Sequence, residues 1–314
     1  MMNNDGHRPV RPEPLLPGDR IGIVAPSSAF DDKAFWKGVD ILREMGFLPV
    51  IPETLFQQKR YLAGEDVHRA RLINGMFADD GVKAIFCARG GYGAIRVLSH
   101  LDWKTICGRP KIFVGFSDIS VLLAAFGTRC GMVTFHGPVV TSLAASDPET
   151  KAALKAALSS PHPLIYEPGR PVVIRPGMGR GRVMGGNLCT LCHLAGTAFA
   201  PDTAGRILFI EDCGEPHYKI DRMLTHLKMC GWFDAIAGLM IGSFERCGDA
   251  STIMEIVAEV FENAQIPVMG GFEIGHGTRN LILPMGIEAV LDTDRGRLAF
   301  CGPATAPGHG ADAA

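Results

Sequence analysis

Short apolar runs alternate with longer segments of helical spacing through the first half of the chain. The runs RIGIVAP (20–26), FLPVI (47–51), VKAIFCA (82–88) and KIFVGF (111–116) are rich in β-branched and aromatic residues and read as buried strands. Segments near 31–45 and 65–78 read as helices, and GAIRVLSHL (93–101) fills the interval before the fourth run. This alternation predicts a mostly parallel sheet covered by helices on both faces. Ligands of such sheets gather at the carboxyl ends of the strands. Two of those ends are chemically unusual: Arg89-Gly90-Gly91-Tyr92-Gly93 and Ser117-Asp118.

The rhythm stops near residue 147. DPETKAALKAALSS reads as one helix and is followed by Pro161, Pro163, Pro168, Pro171 and Pro176, a proline density that marks a connector. A second α/β region then carries GRGRVMGGN, RILFIED (206–212), a helix from about 217, GLMIGSF (238–244), a helix near 251–264 and two strand-like runs around 287–301. In the helix after 217, Ile220, Met223, Leu224 and Leu227 form a core-facing stripe. The pattern divides the chain into an N-terminal α/β domain (1–146), a linker (147–180), a C-terminal domain (181–302) and a Gly/Ala/Pro-rich tail (303–314) expected to be disordered.

Composition narrows the function. The chain has 314 residues, 47% of them hydrophobic, and a net charge of −2. No basic stripe is available to grip phosphates, so nucleic acid is not expected as a partner. No run approaches 18 apolar residues and the N-terminus lacks a leader pattern, so neither a membrane partner nor export is expected and the chain reads as cytoplasmic. Of nine cysteines, Cys87, Cys107, Cys130, Cys230 and Cys301 lie in apolar segments, which suits buried reduced thiols. The stretch Cys189-Thr190-Leu191-Cys192-His193 matches C-x-x-C-H, but without export or a second Cys/His pair at zinc spacing it reads as a packed helix.

Ser117 and Asp118 stand between a strand-like run and a helix-like run from Ile119 to Phe126. One of them could simply cap the helix. Alternatively, Ser117 is a nucleophile held at a strand end, with the next N–H free for an oxyanion. A nucleophile needs a base and an orienting group. Of ten histidines, His7 and His309 lie near the termini, and His68, His100 and His226 fall within helices. His136, His217 and His276 sit in loop contexts, and these three are equally placed by context. Glu211 directly follows the apolar strand RILFI, where a carboxylate either caps a loop or orients an imidazole. The Gly-rich loop fails the dinucleotide fingerprint because Arg96 occupies its last glycine position; its backbone N–H groups instead suit an anion.

Taken together, RGGYG (89–93), GFSDIS (115–120), HGP (136–138), GGN (185–187), ED..EP..YKIDRML (211–224) and GHGTRNLILPMG (275–286) resemble the LD-carboxypeptidase family. Its members are cytoplasmic serine peptidases that trim murein peptides, with relatives that cleave the peptide–nucleotide microcin C. The resemblance spans about residues 15–300. It implies a flavodoxin-like N-terminal domain, a smaller β-rich C-terminal domain, a site between them and a homodimer. It also implies a Ser117–His276–Glu211 triad, an oxyanion hole from the N–H groups of Gly91 and Asp118, and no metal or organic cofactor. Phe116 and Ser120 stand where the family motif usually has Tyr and Thr.

The expected activity is hydrolysis of the L-to-D amide bond that releases terminal D-alanine from murein tetrapeptide in cell-wall recycling. Two alternatives remain: a microcin C-type amidase, and a non-catalytic small-molecule binder in which Ser117 is only a cap. The amidases tend to carry an extra aromatic recognition loop, whereas the 187–205 stretch here is short and holds only Phe199. An exopeptidase must also pair the substrate's free carboxylate, and Arg89 is the candidate cation for that role.

Overall fold

The computed structural model describes residues 8–306. Strands β1 (Arg20–Val24), β2 (Leu48–Val50), β3 (Val82–Cys87), β4 (Ile112–Gly115) and β5 (Thr134–His136) form a parallel sheet in the order β2-β1-β3-β4-β5. That is the flavodoxin-like order. Between and after these strands lie α1 (Asp32–Glu44), α2 (Asp66–Ala78), α3 (Ala94–Val97), α4 (Trp103–Gly108), α5 (Ser120–Cys130) and α6 (Val140–Leu143). Helix α1 starts where the Asp31 carboxylate accepts from the Ala34 N–H, and it buries Phe35, Val39 and Leu42. Every residue of β4 is buried, as expected of a central parallel strand covered on both faces.

Helix α7 (Pro148–Ser159) leads to a second sheet. Its strands include β6 (Ile165–Tyr166), β7 (Val172–Arg175), β8 (Met178–Asn187), β9 (Arg206–Cys213), β10 (Gly238–Glu245) and β11 (Val268–Gly270), with α8 (Leu188–Cys192), α9 (His217–Met229) and α10 (Ala250–Val260) between them. Strand β12 (Leu283–Met285) leaves this region and pairs antiparallel with β5 of the first sheet. Strands β13 (Glu288–Asp292) and β14 (Arg297–Phe300) complete the second sheet, whose order is β6-β14-β13-β8-β9-β10-β11-β7. Four adjacent strands of it, β8 to β11, run parallel.

Three expectations need correction. The proline-dense segment is more than a connector: it supplies β6 and β7, the two edges of the second sheet, and its prolines fall outside both strands, where no ladder donor is lost. Cys107 and Cys130 form a disulfide between the ends of α4 and α5, whose Cα atoms lie 4.8 Å apart. Cys87 is buried as a free thiol, but Cys230 and Cys301 are exposed just beyond α9 and β14, where the apolar pattern ends. Of the expected tail, residues 303–306 pack back on the protein: Ala304 and Thr305 are buried and the Ala306 N–H donates to the Pro12 carbonyl. His7, His309 and the stretch 307–314 lie outside the described residues.

The two sheets share a core. One continuous apolar cluster joins Phe86, Val114 and Phe135 of the first sheet to Val183, Phe209 and Met269 of the second. The β12–β5 ladder adds a backbone seam. The carboxyl ends of β4 and β9 are thereby brought together.

Candidate active site

Ser117 follows β4 as the first residue of a single 3-10 turn that runs into α5. Its φ is +64°, a left-handed backbone that a non-glycine residue adopts only when its surroundings enforce it. The hydroxyl caps nothing. It lies 3.0 Å from His276 Nε2, and His276 Nδ1 lies 2.7 Å from Glu211 Oε2. Three groups separated by up to 159 positions in sequence thus form one hydrogen-bonded line. The capping reading of Ser117-Asp118 fails for both residues. The Asp118 carboxylate accepts from the Ser27 hydroxyl at 2.6 Å and the Ala94 N–H at 2.8 Å.

His276 is delivered by a tight loop after β11. Gly275 has φ +119°, and a Cβ there would come within 2.6 Å of Glu211 Oε2 and 2.8 Å of Ser243 Oγ. Only glycine fits that approach. The loop is held by the Asn280 side chain, which accepts from the Gly275 N–H at 2.9 Å. Ser243 Oγ, at the end of β10, accepts from Gly277 N–H at 3.1 Å. The imidazole rests against the Phe116 ring, centroids 4.8 Å apart.

The Gly-rich loop lies against the serine. Gly90 packs so closely that a Cβ on it would sit 2.9 Å from Ser117 Cβ. Gly91 takes φ +109°. Ser28 fixes the flanking peptides, donating its N–H to the Gly90 carbonyl at 3.3 Å and accepting the Tyr92 N–H at 3.0 Å. Arg69, fully buried, donates to the Pro26 carbonyl and, at 2.9 Å, to the Gly93 carbonyl. Asp118, as the second residue of a helical turn, has an N–H without an intrahelical acceptor. That N–H directly follows the Ser117 residue in the chain, at the start of the turn.

Electrostatics match this layout. Burial would push the Glu211 carboxyl up, but the His136 and His276 rings outweigh that and hold it well below the usual carboxylate range. Burial likewise favours neutral His276, yet the Glu211 hydrogen bond and charge dominate and raise its pKa above 6.5. Burial raises the Asp118 carboxyl and lifts Asp212 to about 6, against hydrogen bonds from Cys213, Cys189 and Asn187. Asn187, the GGN asparagine, donates its N–H to Ser120 Oγ at 3.0 Å and its amide to Asp212 at 2.9 Å. The second sheet is thereby tied to the first turn of α5, next to the serine.

The other sequence candidates separate. His217 opens α9 and contacts the Asp249 carbonyl at 3.1 Å. His136 is buried at the end of β5, 3.9 Å from Glu211. Arg89 is exposed and its guanidinium donates to the Ala29 carbonyl at 2.7 Å. The Cys189 and Cys192 thiols are pushed by burial up to about 11 and about 12, so they are protonated at neutral pH. Among the described residues no group of three His, Cys, Asp or Glu side chains is arranged to hold a metal ion. Sequence reasoning missed Ser27, Ser28, Arg69, Ser243 and Asn280. Arg69 carries no signal at all, since on its helix it looks like an ordinary surface arginine.

A hydroxyl, an imidazole and a buried carboxylate in one line, on a doubly covered α/β sheet, is the arrangement of a serine hydrolase. Residues 21–137 match the N-terminal domain of LD-carboxypeptidases and residues 180–291 their C-terminal domain; the chain belongs to the LD-carboxypeptidase family and is a serine-type peptidase. It is 37% identical over 292 residues to the Bacillus subtilis protein named "Probable murein peptide carboxypeptidase", covering 90% of this chain and 92% of that one. The Escherichia coli microcin C7 self-immunity protein MccF is 29% identical over 93% of this chain and 96% of its own length. Its wild-type apo structure superposes with a TM-score of 0.89 over 95% of this chain and all of that one, at 26% identity. The muramoyltetrapeptide carboxypeptidase of Oxalobacter formigenes superposes with a TM-score of 0.80 at 28% identity, covering 90% of this chain and 97% of that one.

Proposed function

We propose that the enzyme removes the terminal D-alanine of murein tetrapeptide, with Ser117 as nucleophile, His276 as general base and acid, and Glu211 orienting the imidazole. The observation that carries this reading is the unbroken Ser117–His276–Glu211 line. Ser117 Oγ attacks the carbonyl carbon of the L-to-D amide while His276 Nε2 takes the hydroxyl proton. The developing O⁻ is met by the Gly91 and Asp118 N–H groups. His276 then returns the proton to the nitrogen of the departing D-alanine, leaving the tripeptide esterified to Ser117. A water molecule, deprotonated by the same imidazole, hydrolyses the ester.

Support for murein peptide over an aminoacyl-nucleotide comes from the higher identity to the murein peptide carboxypeptidase. Phe199 adds to it: its ring packs on Trp103, centroids 5.6 Å apart, under the Arg129 guanidinium. Arg129 stands at the far end of α5 from Ser117. The same reading has the enzyme acting in the cytoplasm as a homodimer in cell-wall peptide recycling. Among the described residues no helix is long and apolar enough to cross a membrane.

Two outcomes test it. Because an exopeptidase must pair the free terminal carboxylate, amidating the D-alanine is expected to lower kcat/KM by about 30-fold or more, the scale of a lost charge-assisted pair of ~2 kcal/mol. Replacing D-Ala by L-Ala should cost a similar factor. Equal rates for free acid, amide and epimer would mean that the carboxylate is not read. Arg89, already engaged by Ala29, is the first residue to substitute when tracing the cation.

The second outcome is a pH profile. His276 must be neutral to accept the serine proton, and its raised pKa keeps it protonated to above pH 6.5. Activity should therefore fall as pH drops through a limb centred above 6.5. In Glu211→Gln the carboxylate charge that holds the proton on His276 is gone, and the limb of the residual kcat/KM should move to lower pH. Profiles of the two enzymes on one substrate decide it; coincident limbs would contradict the pairing.

A further inference from the structure

We infer that His136 is a positioning residue for the Glu211 carboxylate, presenting Nε2 to Oε1 while His276 engages Oε2. This rests on the triad assignment above and extends it to a second imidazole. His136 is fully buried, and neither ring nitrogen has a hydrogen-bond partner. Glu211 Oε1, fully buried as well, also lacks one. The two unpartnered groups face each other, with Nε2 3.9 Å from Oε1. Buried polar atoms almost always find partners, so two orphans at this separation belong to one interaction.

The ring has little freedom to turn away. It packs steeply inclined against the rings of Phe116 and Phe209, with centroids 5.9 Å and 5.1 Å away and interplanar angles of 73° and 74°. Its backbone is fixed from both sides, opposite Gly115 of β4 and Leu283 of β12. Gly115 lies two residues before Ser117. Glu211, by contrast, stands on β9 of the second sheet, opposite Asn187. The nucleophile and the orienting acid thus belong to different sheets, and His136 is the nucleophile sheet's own contact with the acid. A carboxylate held at one oxygen can rotate about its terminal bond; an imidazole at each oxygen stops that rotation and keeps Oε2 aimed at His276. The His136 ring acts through Glu211 and touches no reacting atom.

The test compares His136→Phe, which keeps an aromatic ring without the N–H, with His136→Gln, whose amide reaches the place of Nε2. Steady-state kinetics on murein tetrapeptide, the rate of fluorophosphonate labelling at Ser117 and thermal melting are measured on each full-length protein. Expected for His136→Phe is a roughly tenfold or larger fall in kcat and in labelling rate with KM within about twofold. His136→Gln should recover both rates to within about threefold of wild type. Should the Phe variant not fold, His136→Met takes its place, with the same loss expected. A folded Phe or Met variant with wild-type kcat and labelling overturns the inference. So does a Gln variant as impaired as the apolar one, which would show that the ring only fills space. Failure of the triad assignment looks different: wild-type protein would then carry no label on Ser117, and Ser117→Ala would retain full activity.

Discussion

Ser117→Ala is expected to lower kcat by at least about 10³-fold while the melting temperature stays near that of wild type. The oxygen removed is the one that His276 Nε2 faces at 3.0 Å, and no other hydroxyl takes its place in the line. The fold should survive because alanine inherits the same left-handed backbone at φ +64° and pays the same conformational cost. His276→Ala should be comparably severe, and Glu211→Gln less so. The double variant Ser117→Ala/His276→Ala should be little worse than either single, because nucleophile and base act as a unit. Kinetics on the three variants and the double check this. Additive losses would mean that the two side chains contribute separately and that the line is not a triad.

The second large effect is expected at a residue with no functional group. Gly275→Ala should reduce kcat/KM by about 100-fold or more and lower stability by roughly 1–3 kcal/mol. The added methyl meets Glu211 Oε2 at 2.6 Å and Ser243 Oγ at 2.8 Å, and the backbone at φ +119° disfavours any side chain. Relief requires the loop to move outward. That movement carries His276 with it and breaks the 2.7 Å contact to Glu211. Side-chain chemistry is untouched, so activity lost here is lost through placement alone. Thermal melting with kinetics at a temperature where the variant is folded separates the two effects; a folded Gly275→Ala enzyme of normal activity would refute the placement argument.

Much of this site is legible in the amino-acid sequence, for physical reasons that differ from residue to residue. Ser117 is visible because a polar pair between a strand-like and a helix-like apolar run marks a strand-to-helix turn, where either a cap or a nucleophile belongs. Glu211 was visible because an acid directly after RILFI sits at a strand's carboxyl end. His276 could not be separated by context from His136 and His217, since a loop histidine shows no direction in sequence; the family resemblance singled it out. The structure then finds His276 on the serine, His136 buried against the acid and His217 on the Asp249 carbonyl. The first sheet was readable from its alternation, but β12 crossing to join β5 was not, because three residues after a loop carry no periodicity. The edge strands β6 and β7 were masked by flanking prolines. The Cys107–Cys130 disulfide was masked by a 23-residue separation that placed both cysteines in apolar runs.

During turnover Ser117 is expected to carry an acyl group derived from a peptide ending in D-alanine. Rapid-quench mass spectrometry of the enzyme with murein tetrapeptide tests it directly. Free D-alanine and tripeptide are expected in equal amounts, with a transient tripeptide adduct that maps to the peptide containing Ser117. An adduct on another residue would contradict it, as would a tetrapeptide left intact by an enzyme that hydrolyses an aminoacyl-nucleotide.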